Sequence, residues 1–357
     1  MVNSFKSRDK QEILKYCVGY EDKRNSVPFP SVSMRNIIDR IPVPASGLML
    51  GLAAAGNLIS SYSNILKSIF GIISASILVL LLVKIICKIG VVIEDLKNPA
   101  IAGIASTFPM GVMVLSTYIH SCWPFASYVI WVIGILMHCA LIIYFTKEFI
   151  LKYSIQKVFP SCFVVFVGIA AGSITAPVFG VDWIGRVLFW FSFIAYLILL
   201  PIITYRTFVI KSIPESLLPT VAIFAAPTGI CLTGYLNSFQ EKNMTFIWLL
   251  VVMSLTMFFA VLLYMPKMFR LKFYPSYSAF TFPFVISATA IKATDGFFIK
   301  MHMDIPALKY LVYFEEVFAI TFVVYVLIRY ICFIFIQSVG VAPQDTQNAV
   351  KQYSNNG

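Results

Sequence analysis

The chain has 357 residues, 59% of them hydrophobic and only 12% charged, with a mean hydropathy of +0.86. Soluble chains carry about a quarter charged residues, and one or two soluble domains do not bury this much apolar surface; a water-soluble enzyme and a disordered hub are excluded. The net charge of +11 does not indicate a nucleic-acid partner, because the charges sit in short loops between apolar runs and not on one basic face.

Residues 1–40 read as a polar cytoplasmic arm with eight Lys and Arg, and they lack the apolar core of a signal peptide. A helix needs about 20 apolar residues to cross a bilayer. Ten such runs follow, at 42–61, 68–87, 99–118, 125–144, 159–178, 186–205, 217–236, 245–264, 275–294 and 310–329. Residues 41–336 therefore read as one transmembrane domain, and 337–357 as a disordered cytoplasmic tail. The expected fold class is an all-α polytopic membrane protein.

The odd-numbered runs each begin near a proline: Pro44, Pro99, Pro160, Pro219 and Pro275. The spacing predicts a helical hairpin repeated five times. Composition agrees, because the odd runs hold ten to twelve Gly, Ala, Ser, Thr or Pro per twenty residues and the even runs two to five. Small residues let helix backbones approach and bulky aliphatic ones suit acyl chains. Five odd helices are therefore expected as an inner, pseudo-fivefold ring, with five even helices outside. Pro109, Pro227 and Pro283 lie ten, eight and eight residues past their starting prolines. Each should kink its helix at a similar depth, with Pro177 kinking the fifth run later.

Lys and Arg are unevenly shared. The side holding both termini carries 21 and the other side six, which places both termini in the cytoplasm. The odd runs hold almost no ionisable residue. Lys292 in run nine is the exception, near the external mouth, where it would raise the local anion concentration. Without acidic rings a cation pore is not expected, and without buried relays neither is a proton-coupled carrier. Glu315 and Glu316 in run ten are candidates for a subunit-interface or pH-sensing role. The seven cysteines are scattered, no metal or catalytic motif is present, and no metal, cofactor or enzymatic activity is expected.

Several segments resemble the tellurite-resistance/dicarboxylate transporter family, which includes bacterial TehA and the plant guard-cell slow anion channels. They are Ile41-Pro42 with Gly47, Gly51 and Gly56; Asp95-Leu96-Lys97-Asn98-Pro99 with Ser106-Thr107-Phe108-Pro109; Ala226-Pro227; and Phe280-Thr281-Phe282-Pro283. The resemblance covers about residues 40–335, with Ser46 departing where relatives often have an aromatic. It implies a central pore in each subunit of a homotrimer, closed by a phenylalanine that corresponds to Phe282.

The pore kinks and lining expected on this basis are Gly47 and Gly51 in run one and Phe108 and Pro109 in run three. Gly168 and Gly172 follow in run five, Phe224 and Pro227 in run seven, and Thr281, Pro283 and Ser287 in run nine. The function expected is a channel for small monovalent anions, chloride or nitrate, in an inner or plasma membrane, with lipids as its other partners. A carrier of C4-dicarboxylates, sulfite or tellurite is the alternative, and a membrane scaffold using the basic arm is a third.

Overall fold

Where lipid is the solvent, helices associate by close packing and hydrogen bonds, so the segments with the smallest side chains belong innermost. The computed structural model describes residues 34–152, 154–211 and 213–336, and contains no strand among them. The expectations for the first 33 residues and for the tail from 337 lie outside the described residues. Helix α1 (Met34–Arg40) leads into α2 (Ala45–Leu58), α3 (Asn64–Cys87) and a short α4 (Ile89–Leu96). Next come α5 (Pro99–Ile119), α6 (Pro124–Ile150), and the pair α7 (Cys162–Phe166) and α8 (Ala170–Phe179). The chain ends with α9 (Asp182–Ile210), α10 (Glu215–Ser238), α11 (Met244–Phe269), α12 (Pro275–Lys300) and α13 (Pro306–Ile336).

Eight of these helices are long and apolar enough to cross a membrane. The expected first and fifth runs are shorter in the structure. The first is trimmed by the turn through Pro42 and Pro44 to the 14 residues of α2, and the fifth is interrupted between Phe166 and Ala170.

Two layers are evident. In their most apolar stretches α5 and α10 are 89% buried and α12 is 61% buried, against 22–33% for α3, α6, α9, α11 and α13. All of α2 except Ala54 and Asn57 is buried. Helix α2 packs on α5, α5 on α8, α8 on α10, α10 on α12, and α12 back on α2, closing the inner layer on itself. Each outer helix covers the inner one before it in the chain, α3 on α2 through α13 on α12. Their outward faces expose Ile72, Ile86, Leu136, Leu263 and Val317, as acyl chains require.

Local sequence sets the joints. Asn98 caps α5 by accepting from Ala100 N at 2.9 Å, and Pro99 occupies the first position, where no N–H is needed. That accounts for the Asn-Pro pair at the entry to the third run. Gly51 permits the closest approach of α2 to α12: a Cβ there would overlap the Thr281 side chain and lie 3.1 Å from Phe282 N.

Candidate functional site

The inner segments are not continuous α-helices. Helix α5 is broken at Ser106, the fifth segment between Phe166 and Ala170, and α12 at Thr281. The first parts of α10 and α12 are 3₁₀, and the α-helix starts only at Ala226 and Phe282. Proline was expected to kink an unbroken helix. Instead Pro109, Pro227 and Pro283 each sit within the first three residues after a break. Proline fits there because the first turn has no intrahelical use for its missing N–H. Pro177 lies further on, in the 3₁₀ turn Ala176–Phe179.

These breaks surround a central cavity of about 40 Å³, room for roughly three waters. Every inner segment contributes to its wall: Gly47 from α2, Thr107 and Met110 from α5, Val167 and Gly168 from the fifth, Ala226 and Pro227 from α10, Ser278, Phe282 and Pro283 from α12. No ionisable side chain is among the described lining residues.

Phe282 differs from its neighbours. Phe280 stacks on Phe269 at 5.6 Å, and Phe284 packs on Phe318 at 5.0 Å and Phe322 at 5.4 Å, all on the outer side of α12. Phe282 faces the cavity instead, with no ring partner among the described residues. Beside it the Thr281 hydroxyl lies 2.7 Å from Ser278 O and 3.0 Å from Gly47 O, within donating reach of both, so the backbone before the ring is tied to α2.

Of the residues expected to line a pore, Gly47, Gly168, Pro227, Phe282 and Pro283 do border the cavity. Gly51 and Thr281 support it from the α2–α12 contact. Phe224 stands behind it, edge-on to the lining Phe163 at 5.4 Å. Gly172 packs against Leu188 and Met113, and the Pro109 carbonyl backs onto Gly134 of α6. Phe108 faces a different cavity, bounded by α2 to α6. Ser287 is buried beside the buried carboxyl of Glu315 on α13. Lys292 pairs with Glu316 and does not stand free.

Two features carry no sequence motif. His138 of the outer helix α6 donates from Nε2 to Val165 O at 2.9 Å, satisfying a carbonyl at the interruption of the fifth segment. Ser46 has its Oγ 2.7 Å from Thr107 Oγ1 and joins α2 to α5.

Compared with models of protein families, residues 40–331 match the voltage-dependent anion channel family. The match runs from the end of α1 into the last turns of α13, and the chain belongs to that family, whose members are channels and transporters and not enzymes. The same family carried the resemblance in the inner segments. No curated protein matches the chain significantly.

Proposed function

We propose that this member of the voltage-dependent anion channel family passes small monovalent anions, such as chloride and nitrate, along its inner segments, and that Phe282 closes the path. The observation that carries this reading is the central cavity, walled by all five inner segments with Phe282 facing in and no ionisable side chain among the described lining residues. In this reading the ten segments cross an inner or plasma membrane as five pseudo-fivefold hairpins. Both termini are cytoplasmic, and three chains assemble as a homotrimer.

The breaks supply a physical reason for anion preference. Helical segments start at Thr107, Ala226 and Phe282, all beside the cavity. A helix N-terminus carries roughly half a positive charge and favours a nearby anion by about 0.3–1 kcal/mol. The end at Phe282, which follows the non-helical Thr281, attracts an anion without holding it, as conduction demands. A C4-dicarboxylate, sulfite or tellurite carrier would be expected to place a compensating cation in the wall, and none is there among the described residues. Moving the Phe282 ring between staggered rotamers opens the path at small intrinsic cost.

Chloride efflux from liposomes tests this reading. Phe282→Ala is expected to raise efflux by an order of magnitude or more over the unaltered protein. Equally slow efflux from both folded proteins rejects it.

A further inference from the structure

A second cavity, of about 410 Å³, lies between α2, α3, α5 and α6 at the end of the bundle where the N-terminal residues enter. Its wall is apolar, built from Val43, Leu81, Phe108, Met137 and Leu141. Helix α4 turns Val92 and Leu96 towards it, while Val91 and Ile93 on the same helix remain exposed. A short helix that exposes apolar side chains while covering an apolar hollow belongs in the membrane interface.

One charge lies inside. Lys84 is only 5% exposed, and its Nζ donates to Ile41 O at 2.5 Å. Asp95 and Asp39 act on its charge from beyond ion-pair distance, and Asp39 pairs with Lys88 at 2.9 Å. An ammonium has three donors, so two are left for an occupant. A buried ammonium in an apolar hollow facing lipid matches an amphiphile with an anionic head and a hydrocarbon tail.

We propose that this cavity binds an anionic phospholipid of the adjoining leaflet, with one acyl chain against Phe108 and Met137 and the phosphate on Lys84. The wall separating it from the central cavity is a single layer. Ser46 lines one cavity and Gly47 the other; Phe108 lines one and Thr107 the other. Gly47 is the residue whose carbonyl meets Thr281, next to Phe282. Lipid occupancy therefore bears on the backbone that positions Phe282. This coupling rests on the channel reading above; the binding itself does not.

The test is native mass spectrometry of the full chain with phosphatidylglycerol and phosphatidylcholine of identical acyl chains. The unaltered protein is expected to retain one phosphatidylglycerol per chain. Lys84→Gln should cut the preference for it by about tenfold, the loss of one charge-assisted hydrogen bond. Ala140→Trp fills the cavity from an exposed rim residue and so leaves the core undisturbed; it should abolish retention. Equal retention of the two lipids by the unaltered protein, or undiminished retention by Ala140→Trp, overturns the site. Chloride efflux from phosphatidylcholine vesicles with and without phosphatidylglycerol reads the coupling. A lipid-dependent change that Ala140→Trp removes is expected, and no change overturns the coupling. If Phe282→Ala fails to open the path while the lipid preference holds, the channel reading falls and the lipid site stands.

Discussion

Lys292 Nζ lies 2.6 Å from Glu316 Oε1, an ion pair joining the inner helix α12 to the outer helix α13. Glu316 also accepts from the Tyr62 hydroxyl at 2.8 Å, and Lys292 donates to Leu58 O and Ser61 Oγ. The group fastens one end of α12 to the end of α2, and its charges are matched locally. Removing one partner of a buried pair leaves the other uncompensated, and the partial exposure of Lys292 moderates the cost. Lys292→Met and Glu316→Gln should each destabilise the fold by about 2 kcal/mol, with a coupling of about 1–2 kcal/mol between them. A double-mutant cycle on unfolding in detergent measures this; additive losses would contradict the pair's contribution.

Phe282 and Phe284 should separate stability from conduction. Phe284 is fully buried among Phe258, Phe318 and Phe322, so Phe284→Ala should cost about 3–5 kcal/mol and leave the path closed. Phe282 borders a cavity and lacks ring partners among the described residues, so Phe282→Ala should cost clearly less and raise anion flux. Paired thermal-unfolding and efflux measurements decide, and a larger stability loss at Phe282 would place its ring in the core.

Gly51 has no room for a side chain. Its Cβ would overlap the Thr281 side chain next to Phe282, so Gly51→Ala should destabilise by about 1–3 kcal/mol through overpacking. It should also shift the rate of anion flux, because Thr281 must move. A neutral Gly51→Ala in both unfolding and flux would show that the α2–α12 contact is looser than described.

Tyr62, in the turn after α2, is 59% exposed as a whole, yet its hydroxyl pKa is pushed up to about 12 by partial desolvation of the hydroxyl and by its hydrogen bond to Glu316. A tyrosine whose pKa is raised on folding contributes evenly below its unfolded value near 10, and that contribution is lost as pH climbs from there to about 12. The unaltered protein should therefore lose more stability than Tyr62→Phe over that alkaline window. Unfolding curves of the two proteins between pH 9 and pH 12, roughly spanning both values, test the sign; identical pH dependence would contradict it.

The layering of this bundle was legible because it follows composition: Gly51 and Gly168 sit inside while Leu136 and Leu263 face out. The level of the breaks was legible from proline spacing, but their nature was not. Pro109, Pro227 and Pro283 begin new helical segments rather than bending old ones, a distinction that depends on backbone geometry. Which residue of the Phe-Pro motif in α5 meets which cavity was not legible, because successive helical residues point about 100° apart. Thr107 takes the central cavity and Phe108 the lateral one. Lys292 and Glu316 are 24 residues apart on different helices, and no periodicity within either helix reports that meeting. His138 was equally silent, since its partner is a backbone carbonyl at a break.

The central claim is that Phe282 closes an anion path through the inner segments. Current across planar bilayers in asymmetric chloride, comparing the unaltered protein, Phe282→Ala and Phe284→Ala, tests it most directly. The account predicts large currents for Phe282→Ala alone, reversing near the chloride equilibrium potential. Silence from folded Phe282→Ala, or currents that reverse with the cation gradient, would contradict it.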